Sequence, residues 1–329
     1  MTSFLEEVVS ECYHKFLPNC KSPIRFSFIM ERSDRKVLFY IFRNMDSFPI
    51  LFGKASDNPE VGQRLMREYK VLSEIHTLHN ISIKNTIPKP FCCEKFGNYW
   101  MVIESTIKGH PLSNYIRKRT LPFWKKTANN HFNLAANWLV SFHSATTHRI
   151  LQLTAKELKD FFANLMGNFC HSWGMPYPNS SFISALSNLL DDCEKKTLPL
   201  VKDHGDYSPH QILVRNGDIA IIDWELSPFW GLPVIDLVIF FLYYWTMMRG
   251  TFGPVKFTIQ DMESTFFEYN DFSELVAQYM KKYCSSLRID PIFIRPLILL
   301  RFIFHPEWEH IYKKLNEKTG PVFSVTQKG

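Results

Sequence analysis

The seven cysteines of this 329-residue chain include no C-x-x-C pair, and their number is odd. That pattern speaks for reduced thiols in a cytosolic protein rather than a disulfide framework. The N-terminal MTSFLEEVVSECYHKFL carries acids early and no long apolar core, so it does not read as a signal peptide. The most apolar run, VIDLVIFFLYYWTMM at 234–248, contains Asp236 and falls short of the ~20 residues that a spanning helix needs. It predicts a buried core helix, and its aromatics leave room for no more than a peripheral membrane contact. No internal repeat and no low-complexity tract occurs. The net charge of +6 is spread along the chain. A dedicated nucleic-acid binder shows a denser basic patch, whereas neutral sugars, anionic substrates and membrane surfaces all stay open. HPEWEH at 305–310 is not the zinc pattern H-E-x-x-H, and Pro306 disturbs a helix there, so it reads as a loop or a helix start.

What is present suits a folded α+β protein. Hydrophobic residues make up 46% of the chain, enough for one large or two small cores, and 21% charged residues exclude disorder by composition. IRFSFIME (24–31), KVLFYIFR (36–43) and PILFGKAS (49–56) are rich in β-branched and aromatic residues with turn signals between them, and predict strands. Asn58 and Pro59 then open a helix as N-cap and first-turn proline. Val61, Leu65, Leu72 and Ile75 recur on one face of it, and Glu68 falls on that same face. A carboxylate on a core face needs a partner, and Lys54 at the end of the third strand is the obvious candidate. A turn at Gly97-Asn98 leads into a strand at 99–105. Beyond it the chain turns mainly helical, with helices expected at 133–145, 156–169, 181–196 and from 234 onward. The change of character places a boundary near residue 107: a β-rich lobe over 1–107 and a larger helical lobe over 108–329.

The helices are interrupted by HGDYSPHQILVRNGDIAIIDWE, residues 204–225. Two strand-like stretches, QILVR and IAIID, with Asn216-Gly217 as their turn, return Asp223 toward Asp206. The order strand Lys, helix Glu, hinge, HGD, an amide five residues on, and IDWE resembles the aminoglycoside phosphotransferase and choline kinase-like families, within the wider protein-kinase-like fold. The resemblance covers roughly residues 25 to 245. It is most specific from His204 through Gly231-Leu-Pro-Val-Ile-Asp-Leu237 and rests on one Lys and one Glu in the N-terminal part.

The resemblance implies a bilobal kinase-like protein that binds ATP and Mg²⁺. In phosphoryl transfer a protein mainly positions groups and stabilises charge. By resemblance, Asp206 orients or deprotonates the acceptor hydroxyl. Asp223 binds the metal that bridges the nucleotide phosphates, and Gln211 stands where family members carry Asn. A Gln amide oxygen is the same ligand as that of Asn, set one methylene further out, while Mg²⁺ holds ligands at about 2.0–2.1 Å. Glu225 is a second metal ligand, or an acid that faces solvent or pairs with an arginine; the sequence leaves these open. Lys54 contacts the α- and β-phosphates and pairs with Glu68. Ser105 and Ile107, in the hinge segment that starts at Glu104, offer backbone groups to the adenine edge. The turn ERSDRK (31–36) has no glycine where protein kinases carry G-x-G-x-x-G, and Ser33 with its neighbouring amides is left to cover the phosphates. His204 and His143 read as structural, and Asp236 as an acceptor for backbone N–H groups of the catalytic loop. A protein kinase proper is disfavoured, because HGD replaces HRD and no A-P-E follows IDWE.

The implied acceptor is a small molecule bearing a hydroxyl, a sugar or an amino alcohol. Acids and bases of the last third balance, among them Asp261, Glu263 and Asp271 against Lys281, Lys282, Arg295 and Arg301, so no acidic pocket for a polycation stands out. Phe229, Trp230, Tyr243, Tyr244 and Trp245 are core residues or stacking platforms for a sugar face or a quaternary ammonium. The competing reading is a catalytically impaired nucleotide-binding pseudokinase that serves as a binding module, motivated by Gln211 and the missing glycine loop.

Overall fold

A computed structural model describes residues 24–31, 36–43, 46–79, 81–116, 118, 121–227, 231–250, 257–318 and 320–323. Cys12, Cys20, Ser33, Phe229 and Trp230 lie outside the described residues. The chain gathers into two compact units, one reaching to Gly109 and including Ala220–Ser227, the other made of His110–Ile219 and Pro228–Gly329.

The first unit is built on a five-stranded antiparallel sheet. Strands β1 (Ile24–Glu31), β2 (Lys36–Arg43), β3 (Leu51–Ser56), β4 (Pro90–Phe96) and β5 (Tyr99–Ser105) lie in the order β1-β2-β3-β5-β4. Alternation along β2 and β3 divides the side chains between two faces. Val37, Phe39 and Ile41 with Leu51, Ala55, Met101 and Ile103 form one buried cluster. On the other face, Val102 packs against Val61 and Leu65 of helix α1 (Pro59–Thr77). Asn58 caps α1 through a hydrogen bond to the Glu60 N–H at 3.0 Å, with Pro59 in its first turn as the sequence predicts. Two glycines allow the packing. A Cβ on Gly53 would stand 2.0 Å from Cζ of Phe39, and one on Gly62 would stand 2.1 Å from the Trp100 indole.

The second unit is mainly helical. Its elements include β6 (His110–Pro111), α2 (Trp124–Thr146), β7 (Arg149–Leu151), α3 (Ala155–Trp173), α4 (Ser180–Asp191), β8 (Leu198–Leu200), β9 (Ile212–Arg215), β10 (Asp218–Ile221), α5 (Ile235–Met248), α6 (Asp271–Leu287), α7 (Ile294–Arg301) and α8 (Trp308–Glu317). The expected helix at 133–145 is the second half of a longer one. The helix expected to reach 196 stops at Asp191, where the chain turns and Lys195 takes a left-handed φ of 57°. HPEWEH straddles the start of α8. The run 234–248 is a core helix, with Phe240, Phe241 and Tyr244 packed edge-to-face or tilted around Phe132 of α2. No helix among the described residues is long and apolar enough to cross a membrane. Asn216 and Gly217, both at positive φ, make the tight turn between β9 and β10, and β10 carries the chain out of this unit into segment 220–227 of the first.

Replacing Gly53 by Ala forces its methyl into the fully buried Phe39 ring. Urea unfolding of Gly53→Ala is expected to show a loss of about 1–3 kcal/mol, the range typical of overpacked cores. Stability equal to the parent would mean that Phe39 moves aside without strain.

Candidate active site

In the first unit one ammonium organises three elements. β3 places Lys54 on the sheet face that α1 covers, and α1 turns Glu68 inward; both are buried. Lys54 Nζ donates to Glu68 Oε1 and Oε2 at 2.8 and 2.9 Å, and to Asp223 Oδ1 at 2.6 Å. Asp223 sits at φ 65°, a left-handed conformation that Asp tolerates better than most residues. That sharp turn aims its carboxylate at Lys54 and leaves the next N–H, of Trp224, to donate to Glu68 Oε1 at 2.9 Å. The Trp224 indole is fully buried and donates to the Ile221 carbonyl at 3.2 Å, which locks the turn. Burial alone would strip the proton from Lys54, but Asp223 and Glu68 outweigh it and hold its pKa well above the ordinary value. Burial raises the pKa of Glu68, against the opposing pull of the Lys54 ammonium at 2.8 Å.

Two residues past Asp223, Glu225 is an ion-pair partner. Lys36 Nζ, at the start of β2, donates to its Oε2 and Oε1 at 3.1 and 3.3 Å, and Arg64 Nη1 of α1 lies 3.9 Å away. Sequence reasoning left Glu225 as a metal ligand or as an acid facing solvent or paired with an arginine; the arginine is Arg64, and Lys36 was missed. The signal was there in the strand register: Lys36 faces Ser56 and Leu38 faces Lys54, so the two lysines share a face.

Glu104 was also missed as a chemical group. It ends the apolar run of β5 just before Ser105, is buried, and its Oε2 has no hydrogen-bond partner. Burial and the nearby Glu68 carboxylate push its pKa well above the usual range, which disfavours its ionised form beside the Lys54 cluster. The Ser105 N–H is spent within the sheet on the Lys89 carbonyl at 2.8 Å, and Ile107 follows in a half-buried irregular segment.

In the second unit, segment 203–211 folds around a buried carboxylate of α5. Asp236 accepts from the His204 and Gly205 N–H groups at 2.7 and 3.0 Å, the part the sequence assigns to it. His143 Nε2 lies 3.7 Å from Asp236, too long for a hydrogen bond, while its Nδ1 meets the Tyr283 hydroxyl at 2.5 Å. Burial opposes ionisation of Asp236, but His143 and the His204 contact overcome it and hold its pKa below the ordinary value. Pinned in this way, the loop presents Asp206, whose N–H donates to His204 Nδ1 at 3.3 Å. Gln211 Nε2 approaches Asp206 Oδ2 at 3.3 Å, the long end of the hydrogen-bond range. Arg301, at the end of α7, is close enough for its charge to act on Asp206 and Tyr243. Its Nε is buried without a partner, and burial lowers its pKa.

The donor chemistry of Asp223 and Glu225, both in segment 220–227, is that of a hard cation, all oxygen. Among the described residues no three His, Cys, Asp or Glu side chains converge tightly enough to hold a metal by themselves. Mg²⁺ is commonly held by one or two carboxylates plus substrate phosphates, and the Asp223 side chain is 33% exposed, so it fits as one such ligand.

No family model and no curated protein sequence matches the chain. Among solved structures it is similar to an aminoglycoside phosphotransferase from Streptomyces rimosus, at 12% identity over 98% of both chains with a TM-score of 0.44. It is also similar to a macrolide 2'-phosphotransferase from Brachybacterium faecium, at 11% identity over 95% of this chain and 98% of that one with a TM-score of 0.45. A choline/ethanolamine kinase family protein from Mesorhizobium loti aligns at 12% identity over 95% of this chain and 99% of that one, with a TM-score of 0.39.

Removing Lys54 alone leaves Glu68 and Asp223 without their cation. Lys54→Met is expected to lower stability by about 3–5 kcal/mol, and Lys54→Met/Glu68→Met to recover a large part of that. Denaturant unfolding of the single and double variants measures the coupling; additive losses would contradict it.

Folding raises the Glu104 pKa, so its contribution is fully present below the unfolded value and is lost as pH rises toward the folded one. Glu104→Gln keeps a neutral group of the same shape. Its stability advantage over the parent is expected to grow above about pH 4.3 by at most about 1.4 kcal/mol per pH unit. Unfolding free energies between pH 4 and 8 test this, and parallel curves would refute it.

Proposed function

We propose that this chain is an ATP-dependent phosphotransferase that moves the γ-phosphate to a hydroxyl of a small molecule, a sugar or an amino alcohol. The observation that carries the reading is the buried Lys54 ammonium held by Glu68 of α1 and Asp223 of the IDWE segment together. A lysine kept charged at the end of a strand, with an exposed carboxylate beside it, can serve the phosphates and the metal of a nucleotide. Lys54 meets the α- and β-phosphates, Glu68 fixes its position, and Asp223 takes Mg²⁺. The metal supplies neutralisation of phosphate charge. Asp206 orients and deprotonates the acceptor hydroxyl, on a loop held by Asp236. Gln211 holds Asp206 in place and supplies an amide oxygen to the metal, Glu225 is the second acidic ligand, and the backbone at Ser105 and Ile107 meets the adenine edge.

The second unit favours an acceptor without several positive charges. Arg301 is the charge beside Asp206. Three acids of its last third are engaged locally: Asp261 by Arg249, Glu263 by His310 and Asp271 by Lys125. Tyr244 and Trp245 are core residues rather than stacking platforms. The described cysteines are all free thiols, four of them buried, which suits a cytoplasmic protein.

Two contacts favour a second reading, a nucleotide-binding pseudokinase. Gln211 turns its amide N–H toward Asp206, and Glu225 is engaged by Lys36.

Thermal-shift titration with ATP separates the two. An active enzyme is expected to show stabilisation that needs Mg²⁺ and is lost in Asp223→Asn, and Asp206→Asn is expected to keep that shift while transfer falls at least about 100-fold. Metal-independent stabilisation, unchanged in Asp223→Asn, favours the pseudokinase. Transfer that survives in Asp206→Asn removes the role given to that residue.

A further inference from the structure

We infer that an exposed apolar patch of the second unit docks on an anionic phospholipid bilayer: Leu121, Phe123 and Tyr269 enter the headgroup layer, and Lys118, Lys125 and Lys126 meet its negative charge. The inference stands on the second unit alone and does not depend on the nucleotide reading.

Exposure carries the first part. Phe123 and Tyr269, at 73% and 72%, are the two most exposed large hydrophobic side chains among the described residues. Their segments lie far apart in sequence, yet the fold joins them. Lys125, two residues past Phe123, meets Asp271, two residues past Tyr269, at 3.1 Å. Leu121 is 47% exposed, and its N–H closes a turn on the Lys118 carbonyl at 3.0 Å. Apolar side chains scattered singly over a surface are ordinary, whereas a gathered patch marks contact with a protein or a membrane. Phe123 is also held at φ 64°, a conformation natural to glycine and costly for a bulky residue. With most of its surface in solvent, packing does not compensate that cost.

Charge selects the occupant. From position 105 to 156 the sequence contains no Asp or Glu. Lys118, Lys125 and Lys126, on either side of Leu121 and Phe123, are all exposed. The pair of Lys125 with Asp271 is exposed on both sides, so it is weak, screened by salt, and gives way at a charged surface. Aromatic and aliphatic side chains at the tip, with lysines beside them, match an anionic interface: rings settle at headgroup level, and ammonium groups meet phosphates. A nucleic acid has a use for the lysines and the rings but offers nothing to Leu121. A second copy of this chain, across a symmetric contact, brings the same lysines against themselves. The apolar run 234–248 is not the contact, because its helix is buried core.

The test is flotation of the full-length protein with vesicles of phosphatidylcholine, alone and with about one third phosphatidylglycerol. Only the phosphatidylglycerol vesicles are expected to carry protein, and binding is expected to fall at least about tenfold between about 0.1 and 0.5 M salt. Leu121→Ser/Phe123→Gly is expected to weaken that binding at least about tenfold, and Lys125→Gln/Lys126→Gln by a similar factor. Glycine suits the φ at 123, so the first variant is expected to keep its urea midpoint. Should it unfold earlier than the parent, Tyr269→Ser, on the other segment, is expected to weaken binding about threefold or more. No binding, or equal binding to both kinds of vesicle, overturns the inference. So does binding that these apolar substitutions leave unchanged. Empty vesicles beside capture of a single-stranded RNA assign the patch to nucleic acid instead, and a dimer that Leu121→Ser/Phe123→Gly dissociates assigns it to self-association; either result overturns the inference.

Discussion

A charged amine buried between a helix and a strand is the constraint on which the first unit depends. Lys54 cannot stay there as an ammonium without carboxylates, and Glu68 and Asp223 cannot stay beside it without the ammonium. Because the three groups come from β3, α1 and a segment more than 150 residues further on, satisfying one charge docks three pieces of chain. Hydrophobic packing of Val61, Leu65 and Val102 brings α1 to the sheet, but it would accept small rotations of the helix. The bidentate contact of Glu68, with the Trp224 N–H on the same carboxylate, does not.

A carboxylate plays the matching part in the second unit. Asp236 opens α5, and its two oxygens take the His204 and Gly205 N–H groups. Backbone N–H groups in a loop must find acceptors when buried, and an acid within the first turn of a core helix offers two in fixed geometry. Val234, two residues earlier, is held at φ 74°, strained for a β-branched residue, with its N–H on the Tyr283 hydroxyl. The strain and the hydrogen bonds lie directly behind the loop that carries Asp206, where rigidity is of use.

Much of this was legible in the chain itself. Glu68 announces its burial by falling between Leu65 and Leu72 on an apolar face, and the need for a partner points to Lys54 by simple electrostatics. Asp236 stands out as the one acid in a long apolar run. The helix that fails to reach 196 shows the limit of periodicity, since the turn at 192–196 is made by backbone contacts such as Lys195 N–H to the Leu153 carbonyl, which leave no mark in hydropathy. Glu104 was read only as the start of a connecting segment. Its alternation with Val102 places it on the buried face, but a lone acid at a strand end is equally consistent with exposure.

The sequence by itself determined most of the elements and, in Glu68 and Asp236, two of the acids that enter the core, because periodicity and capping act over a few neighbouring positions. Only the tertiary structure decided the long-range pairs. Lys36 and Glu225 are 189 residues apart, and Asp223 shares a lysine with Glu68 because segment 220–227 belongs to the first compact unit although it lies far from it in sequence. A pairing of that kind is selected by the low dielectric of the interior, where an unmatched charge is intolerable, and the interior exists only once the chain has folded.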